Sequence, residues 1–169
     1  MKRNYQGVLN RIKEISLAHP MVNSADDGRE LEFDVKKNNL WPRVFIRTEQ
    51  SDVVGGQGSV ELSVTFSLLV MDRVKADRSN TVDVMGSTHS ILTDILATMN
   101  KEQLIHLTDN PVITPQYDYS DSQSSGWVVP VKVWLDQGMQ CFRVDPYEFL
   151  LSNNTDSILI NSSDNIKIK

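Results

Sequence analysis

Any chemistry in this chain would fall to three histidines, His19, His89 and His106, one cysteine, Cys141, and scattered carboxylates. Ser87, His89 and Asp94 lie close enough in sequence to suggest a nucleophilic relay, with the imidazole taking the serine proton and the carboxylate orienting the ring. Their spacing opposes it. Ser87 and His89 sit two residues apart on a helical segment and so point in different directions, and His89 falls on an apolar stripe. A core or interface histidine is the expected role. Asp118 and Asp121, beside Tyr117 and Tyr119, suggest a carboxylate metal site, but no third ligand follows at calcium-loop spacing and a solvated loop is expected. Asp72 and Asp77 read as connector and capping residues.

The run Val53-Val54-Gly55-Gly56-Gln57-Gly58-Ser59 is glycine-rich. It lacks the lysine of a phosphate-binding loop and precedes a strand rather than opening a helix, so half of an anion site is missing. We read it as a hairpin tip, and valines on an exposed tip mark a contact with a partner. Trp41, Trp127 and Trp134 read as packing residues rather than a stacking platform for bases. No catalytic, cofactor-binding or metal-binding set is predicted.

The 169 residues are 40% hydrophobic and 23% charged, with a mean hydropathy of −0.30, which is the composition of a globular protein. A single cysteine leaves no internal disulfide and no cysteine-based zinc site, so a reducing compartment is expected. The longest apolar run is residues 68–71, too short for a membrane span. Met1-Lys2-Arg3 is followed by Arg11, Lys13 and Glu14 rather than the apolar stretch of a signal peptide. The net charge of −5 argues against a general nucleic-acid binder. It is unevenly spread: residues 1–50 carry nine Lys/Arg against seven Asp/Glu, and residues 51–169 carry eight against fifteen. Such a surface is either plainly solvated or an acidic wall that must not stick to DNA.

These residues need elements to hold them. Val8, Ile12 and Ile15 make one helical stripe in residues 5–19, which His19-Pro20 ends. Residues 23–28 carry turn chemistry. Residues 31–35 and 43–48 read as short strands. Residues 60–71 alternate strictly until Leu69 and Met71 make the end apolar on both faces. After a charged connector, a helix is expected over 81–99, with Val82, Met85, His89, Leu92, Leu96 and Met99 as its stripe and Asn80 as its N-cap. Residues 112–119 and 127–135 read as strands joined by a polar hairpin, with Pro115 and Pro130 implying edges or bulges. The order predicts an α+β fold: a mixed, mainly antiparallel sheet with two helices packed on one face. Residues 1–145 form this domain, and residues 146–169 form an extended C-terminal arm.

The passage Ser67-Leu68-Leu69-Val70-Met71-Asp72, the connector ending Asp77-Arg78-Ser79-Asn80 and the helix after it resemble a group of bacteriophage proteins. These are the tail-terminator or tail-completion proteins and related head-to-tail joining ring proteins, those of crAss-like phages included. The first helix ending at His19-Pro20, and the strands carrying Trp41-Pro42 and Val44-Phe45-Ile46, are similar too. The resemblance covers roughly residues 5–143. It implies a structural subunit without enzyme activity or cofactor that assembles with itself into a closed ring, six- or twelve-fold. Its neighbours would be portal, adaptor or tail ring proteins. Double-stranded DNA would pass through the lumen without specific binding, and no membrane would be involved. Such a subunit is assembled in the host cytoplasm and ends in the portal–tail region of the virion. The arm departs from the shorter members. The competing reading is a cytoplasmic α+β ligand-binding or accessory domain without catalytic activity.

Inter-subunit contacts are expected at Val53, Val54, Gly55 and Gly56 of the tip and at Ile158, Ile160, Ile166 and Ile168 of the arm. The arm's isoleucines alternate as a strand needs, but they are too few to form a core, so docking on a neighbouring subunit would bury them. Truncation after Leu151 is expected to spare subunit folding and weaken assembly. Hydrogen exchange checks this: the arm should be protected in assembled particles, and an unprotected arm would end the docking idea.

Overall fold

The computed structural model describes residues 4–29, 33, 40–56, 59–104, 111–119, 123–135, 159–160 and 166–167. Its elements are α1 (Tyr5–Ala18), β1 (Ser24–Asp27), β2 (Arg43–Gly56), β3 (Ser59–Arg73), α2 (Thr81–Lys101), β4 (Thr114–Tyr119), β5 (Ser124–Leu135), β6 (Leu159–Ile160) and β7 (Ile166–Lys167). Five strands form one sheet in the order β1-β2-β3-β5-β4. β1 runs parallel to β2 and the other pairs are antiparallel, so the fold is α+β with a mixed, mostly antiparallel sheet. The chain divides into two compact units, residues 1–137 and 138–169. In the second unit, β6 and β7 pair with each other, Leu159 opposite Lys167 and Ile160 opposite Ile166.

The alternation in β3 sorts its side chains between two faces. Val64, Phe66, Leu68 and Val70 share one core with Val8 and Ile12 of α1, Ile91 and Leu92 of α2, and Val129 and Val131 of β5. Both helices therefore cover the same face. On the opposite face Leu69 and Met71 join Phe33 and Phe45 in a second, smaller core. Pro115 lies on the edge strand β4. Pro130 lies beyond the end of β4, whose pairing stops at Thr114 opposite Val128. Its missing donor therefore costs no bond to β4. Gly126 has no room for a side chain, because a Cβ there would collide with the Val70 carbonyl oxygen.

Several sequence expectations are corrected. Residues 24–27 are a strand, not part of a turn, because β2 supplies a parallel partner for that backbone. Phe33 is helical and fully buried, so the expected strand at residues 31–35 fails there; the rest of that segment lies outside the described residues. The stripe of α2 is rotated. Val82 is 84% exposed and His89 is exposed, whereas Val84, Thr88, Ile91 and Ile95 join Met85, Leu92, Leu96 and Met99 inside. Two overlapping 3–4 patterns run through this segment, and packing chose the one richer in branched aliphatics. Asn80 does stand at the N-cap, but its side chain makes no cap bond. It accepts instead from the Lys75 N–H at 2.8 Å and donates to the Arg73 carbonyl at 3.3 Å, tying the connector together.

The far end of α2 closes without glycine. Gln103 takes a left-handed φ of 55°, and the Leu104 N–H reaches the Met99 carbonyl at 2.9 Å while Leu104 packs into the core. With the Gln103 N–H donating to the Asn100 carbonyl at 3.0 Å, these are the two bonds of a Schellman closure, and the Leu104 contact accompanies them. Leu92 is fully buried at the centre of the helix face. Leu92→Ala is expected to cost about 2–5 kcal/mol, read as a lower denaturation midpoint.

Candidate functional site

The histidine relay is not assembled. The Ser87 hydroxyl donates to the Val84 carbonyl at 3.1 Å, His89 stands edge-on to Trp127 at 5.0 Å, and Asp94 faces His19 Nε2 at 3.4 Å. His89 is thus a surface residue against a tryptophan rather than a core histidine, and His106 lies outside the described residues. Trp127 is a packing residue, donating its indole N–H to the Met85 carbonyl at 2.8 Å. Asp118 pairs with Arg78 Nη2 at 2.7 Å, and Asp121 is outside the described residues. Among the described residues no group of three or more His, Cys, Asp or Glu is placed to hold a metal ion.

Two features at opposite ends of β3 stand out instead. At its start, the β2–β3 hairpin runs past the ends of the other described strands. β1 stops at Asp27, opposite Ile46, and β5 ends at Leu135, opposite Leu62. Beyond that point Val54, Gly55 and Gly56 pair only with Glu61, Val60 and Ser59 among the described residues. The expected flexible tip at residues 53–59 is therefore strand up to Gly56, because ladder bonds outweigh the freedom of two glycines. Val53, opposite Leu62, is 68% exposed. Of the arm's contact residues, Ile160 and Ile166 are cross-strand partners, and Ile158 and Ile168 lie outside the described residues.

The hairpin stem below the tip is laced by charge. Lys132 Nζ donates to Asp52 at 3.0 Å and holds its carboxyl below the usual range. The Ser67 hydroxyl at 2.6 Å, helped by Arg47, does the same for Glu49. Both groups are largely solvated, so these pairs organise the surface more than they stabilise it.

At the other end of β3 an open cleft of about 250 Å³ is lined by Val74, Lys75, Ala76 and Arg78 of the connector and by Asp118 and Gln123. Its walls are tied from both sides. The Val74 N–H donates to the Gln123 carbonyl at 2.9 Å, the Arg78 N–H to the Lys75 carbonyl at 2.8 Å, and the Asp118 N–H to Ser125 Oγ at 3.3 Å. Arg78, Asp118 and Gln123 all have positive φ, at 57°, 51° and 51°. A non-glycine residue held there costs about 1–3 kcal/mol and persists only where its surroundings over-determine it. Sequence reasoning missed this cleft because none of the three is a glycine; the usable signal was the run of cations Arg73, Lys75 and Arg78.

Beside the cleft, Asp72 is half-buried. Burial pushes its carboxyl above the ordinary range, although the Arg73 N–H donates to it at 2.7 Å. No protein-family model matches this chain, and no curated protein matches it either.

An acid whose folded pKa is raised destabilises the native state when ionised, and that penalty disappears as pH falls below the unfolded pKa. Asp72→Asn keeps an acceptor for the Arg73 N–H and removes the charge. It is expected to melt higher than the parent at neutral pH, with the difference closing on acidification. Thermal melts of both proteins across pH 3–7 check the sign.

Proposed function

We propose that this chain is a structural, ring-forming subunit of a bacteriophage head-to-tail connector or tail, joining the portal vertex to the tail around a DNA-conducting lumen. The observation that carries this reading is the β2–β3 hairpin that runs past the ends of the other described strands, with its exposed Val53. A two-stranded projection is marginal in water by itself and gains backbone and apolar partners against a neighbour. The strand–connector–helix passage that carries the resemblance folds as β3, a tied connector and α2, which agrees with the subunit type. A net charge of −5 suits a lumen along which the phosphate backbone slides without sticking.

Native mass measurement at rising concentration tests the reading. A closed oligomer of six or twelve copies is expected; a monomer or dimer throughout would support an accessory domain instead. Val53→Asp is expected to leave the melting temperature nearly unchanged, because Val53 is exposed, and deletion of residues 55–58, which removes the last two ladder pairs of the hairpin, is expected to lower it slightly and leave the subunit folded. Both should shift the population toward monomer. Normal assembly of both would make the hairpin a mere turn.

A further inference from the structure

We propose that His19 is a proton-operated latch. Neutral, its ring holds the turn that leads from α1 into β1; protonated, it releases that turn and keeps its hold on α2. Two contacts select one tautomer. Nδ1 accepts from the Met21 backbone N–H at 3.2 Å, so that nitrogen carries no proton. In the neutral ring the proton then sits on Nε2, which donates to the Asp94 carboxylate at 3.4 Å. The side chain is only 14% exposed, so water is a poor substitute for either partner.

His19 closes the turn twice. Its carbonyl accepts from the Val22 N–H at 3.0 Å, and its ring accepts from the N–H of the residue before. The ring bond copies the way an Asn or Asp side chain receives the N–H two residues on. Pro20 brings no N–H, so the backbone donors of residues 20–22 are both spent on His19. Val22 is buried, and the Asn23 N–H donates to the Pro42 carbonyl at 2.9 Å, one residue before Ser24 pairs with Arg43. The turn thus sets where the edge strand β1 begins.

Protonation reverses one contact and spares the other. Imidazolium carries a proton on both nitrogens, so Nδ1 changes from acceptor to donor and opposes the Met21 N–H. Nε2 remains a donor and meets Asp94 with opposite charge. Rotating the ring would take Nε2 away from Asp94, whereas opening the turn keeps the ion pair. Asp94 of α2 is the charged group in contact with the ring among the described residues. On α1, Arg11 and Glu14 pair with each other, Arg11 also with Glu102, and Lys13 with Asp27 of β1; Asp26 of β1 pairs with Arg43. Charge on the ring therefore acts through one carboxylate and one amide. Imidazole is the side chain that changes charge near neutral pH, so the latch answers to mild acid.

The test is a titration of the full chain from pH 8 to pH 5, followed by nitrogen NMR. At pH 8 the His19 ring should carry its proton on Nε2. As the ring takes up its second proton, the Met21 amide signal should move with the same midpoint. Its exchange, corrected for the intrinsic effect of pH, should quicken roughly two- to tenfold, the worth of one hydrogen bond. His19→Asn places an amide oxygen in reach of the same N–H, so Met21 protection should become independent of pH. His89→Gln removes the other described histidine and should leave the Met21 response intact. A neutral ring protonated on Nδ1, a Met21 amide unmoved while His19 titrates, or a response lost in His89→Gln would each overturn the proposal. A ring that stays neutral down to pH 5 would do the same. If His19→Asn does not fold, the titration of the parent decides alone.

Discussion

Everything in the larger unit is arranged around one constraint: β3 must be covered on both faces. It is hydrogen-bonded to β2 on one side and β5 on the other, so it has no edge to give to water over most of its length. Val64, Phe66, Leu68 and Val70 require an apolar layer on one face, and α1 and α2 supply it. Leu69 and Met71 require a second cover on the other, and Phe33 supplies it, meeting Phe45 edge-on at 5.3 Å and Tyr119 at 5.1 Å. A strand with only one apolar face would have needed no second core.

The second core is held by a charge. Arg43, at the start of β2, has a fully buried side chain. Its guanidinium lies over the Phe33 ring at 4.7 Å and the Phe45 ring at 5.3 Å, donates to the Phe33 carbonyl, and reaches Asp26 at 3.2 Å. Burying a cation is costly unless its charge is matched, and here one side chain engages β1, β2 and the segment carrying Phe33 together. The net stabilisation from such an arrangement is small, because desolvation offsets most of the attraction. Its consequence is specificity: the parallel β1–β2 register that sets Asp26 opposite Phe45 also brings the Asp26 carboxylate to the guanidinium.

The two ends of β3 differ in kind. One runs past the other described strands as a ladder with an exposed valine, and the other is a tied cleft that carries Lys75, Arg78 and Asp118. Between them the sheet and helices form a rigid spacer, since packed cores deform little.

Elements whose signal is local were legible in the sequence. The 3–4 spacing of Val8, Ile12 and Ile15 and the stop at His19-Pro20 define α1, the alternation of residues 60–70 defines β3, and Leu69 with Met71 announces its two buried faces. Those patterns decide structure because each residue's burial follows from its own periodicity. Of the candidate contact residues, Val53 was readable as an exposed valine, but Val54, Gly55 and Gly56 looked like loop and are strand, because pairing with residues 59–61 outweighs their local preference. Only the tertiary structure decided the rest. Ser24–Asp27 becomes a strand because β2 offers it a backbone. The α2 stripe turns away from Val82 and His89 because the sheet accepts Ile91 and Ile95. The cleft exists because Arg78, Asp118 and Gln123 are forced into left-handed conformations by bonds between segments 40 or more residues apart. Long-range partners leave no periodicity in the chain, so the run Arg73, Lys75 and Arg78 could mark the connector but not the segment that meets it.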